Sequence, residues 1–113
     1  MESYFAKLQE YLKMDTEISY EEFAGYYEDY LHFLNNNYQQ LDKENLIKGR
    51  YICTILQANS WERSKRKNSF AKKYKKMAEK TKFWSEAIKY RLEKEGMTAS
   101  EIEQAEKALL EVD

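Results

Sequence analysis

The stretch that decides the fold is residues 92–102, which read LEKEGMTASEI. Gly96 fits the left-handed position that follows the end of a helix, and Met97 stands where a Schellman turn places an apolar contact with Leu92. Thr98 and the glutamate three residues later match a capping box, the signature of a helix start. The stretch therefore predicts one helix that ends before Gly96 and another that begins at Thr98.

The helix before this junction is predicted to be the longest. Large side chains keep a helical spacing of four and three residues from about residue 68 to residue 92, a run typical of a helix that packs in a seam. The predicted buried stripe is Phe70, Tyr74, Met77, Thr81, Trp84, Ile88 and Leu92. The helix after the junction is predicted to bury Ile102, Ala105, Leu109 and Val112.

Two helices are predicted in the first part of the chain. Helix 1 runs from about Glu2 to Met14 on its apolar spacing. Ser19 and Glu22 form another capping box, which starts helix 2. The apolar phase of helix 2 does not break at residues 35–37, so the helix is predicted to continue through these three asparagines, although asparagine is a weak helix former.

Helix 3 is predicted to begin at Asp42, a favoured N-cap residue, and to end at Asn59-Ser60, although its pattern could extend through Trp61. The chain of 113 residues contains no proline and three glycines, so turn-rich β structure is not expected. We therefore predict an all-α fold: a compact antiparallel bundle of four to five helices with a long, basic fourth helix. Residues 1–113 are predicted to form a single helical domain.

Charge is sorted along the chain into three blocks. Residues 1–47 carry 3 basic and 10 acidic side chains, residues 48–92 carry 14 and 3, and residues 93–113 carry 2 and 7. Between residues 63 and 82, ten lysines and arginines accompany one acid, Glu79. A positive field of this density can attract phosphate or an acidic partner, and the acidic blocks of the same chain can also neutralise it.

This basic block is the main candidate functional feature. We predict a small non-catalytic protein that contacts DNA or RNA phosphates through a basic helical face at residues 63–82, because each phosphate contact releases counterions. Trp61 lies beside the block and could stack on a base. The candidate nucleic-acid-binding residues are Trp61, Arg63, Lys65, Arg66, Lys67, Lys72, Lys73, Lys75, Lys76 and Lys80.

Two further interaction hypotheses follow from the same sequence. The basic block could bind an acidic protein partner. Helix 2 carries more aromatic residues than one core stripe can hold, and tyrosine is favoured at interfaces. The alternative function is therefore a homo-oligomer or a protein-interaction module, with the helix 2 aromatic residues or the helix 4 seam at its interface. The aromatic residues concerned are Tyr20, Phe23, Tyr26, Tyr27, Tyr30, Phe33 and Tyr38.

Catalysis and metal binding have weaker support. Asp29 and His32 have the spacing that di-iron bundles use, but such sites need the motif twice and the chain has one histidine. Carboxylates on helix 2 and helix 5 leave a metal-dependent phosphohydrolase as a further alternative; they are Glu21, Glu22, Glu28, Asp29, Glu103 and Glu106. We predict no enzyme activity, no cofactor and no metal site.

Compartment and membrane association follow from simple patterns. No apolar stretch approaches the roughly 20 residues of a membrane span, so membrane insertion is not expected. The first residues lack the features of a signal peptide, which predicts a cytoplasmic protein. Cys53, the one cysteine, lies in an apolar run and is predicted to be buried.

Overall fold

The computed structural model describes residues 1–111, and these form five α-helices, one 3₁₀ turn and no strand. The helices are α1 (Glu2–Leu12), α2 (Tyr20–Asn37), α3 (Lys43–Ser64), α4 (Ala71–Lys94) and α5 (Ala99–Leu110), with the 3₁₀ turn at Tyr38–Gln40. The predicted all-α fold of four to five helices is thus confirmed. In the described part of the chain α4 is the longest helix, with 24 residues.

The chain divides into two compact units, Met1–Leu41 and Asp42–Asp113. The sequence counts give the first unit 2 basic and 8 acidic side chains and the second unit 17 and 12. The division therefore separates a strongly acidic unit from a basic one. A single domain over residues 1–113 stays a prediction, and each unit is described by itself.

In the first unit α1 and α2 pack as an antiparallel pair through tyrosines. The Tyr26 hydroxyl donates a hydrogen bond to the backbone oxygen of Tyr4 at 2.7 Å. At the other end of α1, the Tyr11 ring lies 5.6 Å from the Tyr26 ring in an edge-on arrangement. The N-cap of α2 is Ser19, whose side chain accepts a hydrogen bond from the backbone nitrogen of Glu22, as predicted.

The second helix continues through the asparagines before it tightens. The α-helical part ends at Asn37 and the 3₁₀ turn follows it. Asn37 is held in the last turn because its side-chain nitrogen donates to the backbone oxygen of Phe33 at 2.9 Å. The predicted continuation is therefore confirmed as far as Asn37.

The third helix begins as predicted and ends later than predicted. Asp42 is its N-cap and accepts a hydrogen bond from the backbone nitrogen of Asn45 at 3.0 Å. The predicted end at residues 59–60 is wrong, because α3 continues to Ser64. Ser60 does not stop the helix: it is fully buried and its hydroxyl donates to the backbone oxygen of Leu56 at 2.6 Å.

Helices α3 and α4 pack against each other along their lengths as an antiparallel hairpin. The buried side of α4 includes small residues as well as large ones. On α4 the buried stripe runs through Ala78, Thr81, Ser85, Ile88 and Leu92. The sequence placed Trp84 in this stripe; the structure buries Ser85 instead and leaves Trp84 half-buried.

The junction between α4 and α5 has both predicted features. The Met97 backbone nitrogen donates to the oxygen of Leu92 at 3.1 Å and that of Gly96 donates to Glu93 at 3.0 Å, which is a Schellman turn. A complete capping box at Thr98 follows it. Ile102 is buried in α5, whereas Val112, predicted to lie on the same stripe, is outside the described residues.

Gly96→Ala is expected to lower the free energy of unfolding by about 1 kcal/mol. Gly96 has a φ of +100°, and a Cβ there would meet nothing within 4 Å, so the cost is backbone strain alone. Gly25→Ala is the matched control: Gly25 lies in α2 without a positive φ and also has open space, so alanine should stabilise. Urea denaturation of both variants measures the difference, and equal effects would contradict the argument.

No helix of the described residues is long and apolar enough to cross a membrane.

Candidate nucleic-acid interface

The positive side chains of the predicted block are mostly exposed. We call the exposed set the basic face; it comprises Lys65, Arg66, Lys67, Lys72, Lys73, Lys75, Lys76, Lys80 and Lys82. Three of these residues lie in the connection between α3 and α4, and the other six lie in the first half of α4. The single acid within the block, Glu79, is exposed as well.

The helical repeat of α4 places the basic-face lysines of this helix on its outer side. Tyr74 and Met77 are buried, with 4% and 5% of their surfaces exposed, because they continue the stripe that packs on α3. The lysines between them lie on the outer side of the helix, since residues one or two positions away from a buried residue point elsewhere. Burial of the apolar stripe therefore fixes the direction of the lysines.

The first turn of α4 adds to the positive field. It contains no acidic residue and includes Lys72 and Lys73, where the helix dipole is already positive. The N-cap is Phe70, which has no side-chain oxygen for capping, and its own backbone nitrogen donates to Asn68 Oδ1 at 2.8 Å. Two lysines at this end are unfavourable for the helix itself and favourable for a bound anion.

Arg63 differs from the other candidate residues because it is buried. Its side chain is 6% exposed, and Nη1 donates to the Tyr74 hydroxyl at 3.0 Å. The guanidinium carbon also lies 5.5 Å from the centre of the Tyr74 ring. Arg63 thus ties the end of α3 to the start of α4, and we define the candidate interface without it.

Trp61 stands at the border of the basic face, in the last turns of α3. It is 49% exposed, and Lys65 Nζ lies 5.0 Å from the centre of its ring. Arg66 Nη2 pairs with Glu62 Oε1 at 3.1 Å on the neighbouring side of the same helix end. An exposed indole next to cationic side chains can stack on a planar ligand.

Sequence reasoning missed two exposed aromatic residues on α4. Phe83 is 64% exposed and Tyr90 is 60% exposed. They lie seven residues apart, which is about two helical turns, so both are on one side of the helix. Lys76 lies seven residues before Phe83 and shares that side. The signal was present in the sequence, because both rings fall opposite the buried stripe in the helical repeat.

Three of the aromatic residues of helix 2, Tyr26, Tyr30 and Phe33, contact α1 within the first unit. Tyr26 and Tyr30 are buried, and the Tyr4 ring of α1 lies 6.1 Å and 5.4 Å from theirs. The same ring lies 5.2 Å from Phe33. An open cleft of about 450 Å³ lies beside this cluster, lined by Ser3, Tyr4, Lys7, Tyr11, Glu22, Gly25, Tyr26 and Asp29.

The structure also locates the residues weighed for metal binding. His32 is exposed, and its Nε2 lies 3.0 Å from Asn36 Nδ2. Glu106, considered for a phosphohydrolase, pairs instead with Arg50 of α3. Among residues 1–111, no group of three or more His, Cys, Asp or Glu side chains is arranged to hold a metal ion.

No protein family, no curated protein and no solved structure matches this chain.

Proposed function

We propose that this protein binds nucleic acid without catalysis, by contacts between the basic face and backbone phosphates. The observation that supports the proposal is the exposure of nine positive side chains beside one acid between residues 63 and 82. Exposed lysines bind phosphate as point charges and do not select bases. The proposal therefore describes binding with little sequence preference. The compartment that we propose for this binding is the cytoplasm.

Salt dependence is the first test, because phosphate binding releases condensed counterions. Fluorescence anisotropy with labelled DNA and RNA strands measures the dissociation constant between about 50 and 200 mM salt. Four phosphate contacts predict a loss of affinity of about a hundredfold over that range. An affinity that does not change with salt would contradict the proposal.

Changing Lys72, Lys73, Lys75 and Lys76 together to glutamate is expected to weaken binding at least a hundredfold at low salt. All four side chains are exposed, so the helical circular dichroism signal should persist. Glutamate also suits the first turn of α4, where the dipole favours negative charge.

The matched control changes four exposed lysines elsewhere to glutamate: Lys7, Lys13, Lys43 and Lys107. Both variants have the same net charge, so a difference between them isolates the position of the charge. If both variants lose binding equally, the effect comes from net charge and not from the basic face. If the first variant still binds nucleic acid, the basic face is not the binding site.

Self-association is the second candidate function, and the exposed Phe83 and Tyr90 side chains favour it. Light scattering over a range of protein concentrations measures the mass of the particle. A mass that doubles with concentration and returns to that of one chain in Phe83→Ala/Tyr90→Ala would support a homodimer.

A further inference from the structure

The outer side of α4 carries both exposed aromatic side chains and lysines. Phe83 and Tyr90 lie on this side, about 10.5 Å apart along the helix axis. Lys76 lies on the same line, and Lys80 and Lys82 flank Phe83 at neighbouring positions. Glu79 and Glu86 are exposed on this side as well.

Contacts within the helix position both rings. The Phe83 ring lies 5.7 Å from the Trp84 ring in an edge-on arrangement, so one of its faces stays available. Lys94 Nζ lies 5.2 Å from the centre of the Tyr90 ring. Each ring therefore has a neighbour that limits its motion while most of its surface remains exposed.

The charge around the rings discriminates between partners. The lysines named here outnumber the two glutamates on this side, so a second copy of this chain docked on it would bring two net positive surfaces together, and like charges across an interface oppose association. An anionic partner with planar apolar groups satisfies both the lysines and the rings. Single-stranded nucleic acid has these two properties at once, whereas the bases of a duplex are stacked inside it.

We propose that the outer side of α4 binds single-stranded nucleic acid, with bases stacked on Phe83 and Tyr90 and phosphates on the neighbouring lysines. This proposal rests on the proposed function and specifies its ligand. Stacking of one base on an aromatic side chain contributes about 5- to 150-fold in affinity. The rings should therefore contribute a preference for single strands that the lysines alone do not provide.

The test compares a single strand of about 15 nucleotides with a duplex of the same length. Phe83→Ala/Tyr90→Ala is expected to weaken binding of the single strand at least tenfold and to leave binding of the duplex unchanged. Phe83→Tyr/Tyr90→Phe is the matched control; it keeps two aromatic rings and should keep the affinity of the wild type. Both positions are exposed, and thermal melting of each variant verifies that the fold is intact.

The outcomes separate this inference from the proposed function. If the wild type binds single strands and the alanine variant binds them equally well, the stacking proposal is wrong and the phosphate proposal stands. If the wild type binds neither strand form, both are wrong. If the alanine variant changes only the mass of the particle in light scattering, the rings form a protein interface and the stacking proposal is overturned.

Discussion

Leu92→Ala is expected to lower the free energy of unfolding by about 3 kcal/mol. The Leu92 side chain is fully buried, and its backbone oxygen accepts the hydrogen bond from Met97 that closes the turn after α4. Alanine removes the buried methyl groups and leaves a cavity that close-packed neighbours fill only in part. Urea denaturation at constant pH measures the loss.

Leu110→Ala provides the comparison for this variant. Leu110 lies in α5 with 55% of its surface exposed, so the same truncation there should change stability by less than about 0.5 kcal/mol. If the two substitutions cost the same, the apolar stripe of α4 is not the main source of stability in this unit. The cost at Leu92 should also be independent of salt, because it does not involve charge.

Arg50→Met is expected to destabilise the protein by about 2–3 kcal/mol at pH 7. Arg50 of α3 donates from Nη1 to Glu106 Oε1 of α5, and the two side chains are only 19% and 13% exposed. Removal of the cation leaves the Glu106 carboxylate in a largely buried site without its partner. Such a charge costs more than the intact pair does.

The cost of Arg50→Met should depend on pH in a defined direction. Burial raises the pKa of Glu106 above its ordinary value of 4.5, and the charge and hydrogen bond of Arg50 partly oppose the rise. Because the folded state holds this proton more tightly, the contribution of Glu106 to stability grows as the pH falls through the raised pKa toward 4.5. Without Arg50 the pKa rises further, so the variant should recover most of its lost stability near pH 4.5.

Two variants test the origin of this effect. Arg50→Met/Glu106→Leu removes both charges and should return stability close to that of the wild type at pH 7. Arg66→Met removes a more exposed arginine, which pairs with Glu62 one turn away, and should cost less than about 1 kcal/mol at either pH. A cost for Arg50→Met that is the same at pH 7 and pH 4.5 would show that lost packing, not the unpaired carboxylate, is responsible.

The starts of α2, α3 and α5 were predictable because side-chain capping depends on neighbouring residues alone. Ser19, Asp42 and Thr98 each accept the hydrogen bond that the sequence pattern predicts. The capping box at Thr98 also changes the pKa of its acidic partner. Hydrogen bonds with the Thr98 backbone and side chain lower the pKa of Glu101. The left-handed Gly96 was predictable for the same reason, because few other residues adopt a positive φ.

The burial of Arg63 required knowledge of the phase of α3. The buried stripe of that helix passes through Cys53, Leu56 and Ser60 at steps of three and four, and the next step is Arg63. A prediction that ends the helix at residues 59–60 assigns Arg63 to an exposed block instead. The error follows from reading Ser60 as a stop signal when its hydroxyl bonds to its own helix.

Local patterns also do not determine which helices form a compact unit. Length favours one domain, which stays a prediction, and the contacts within the chain group the helix pair that ends at Leu41 into a compact unit. The distinction depends on contacts between residues far apart in sequence, for which periodicity gives no information. The helical phase of α4 places Phe83 and Tyr90 opposite its buried stripe, but that phase does not show whether another helix covers that side.

The buried thiol of Cys53 allows the opening of the second unit to be measured. Cys53 is fully buried in α3 and is the one thiol of the chain, so the first unit contains none. A thiol reagent can reach a buried sulfur only after its surroundings open, and the rate of modification then follows the opening equilibrium. Timed alkylation followed by mass spectrometry therefore measures how often the unit that carries the basic face opens, without any label or substitution.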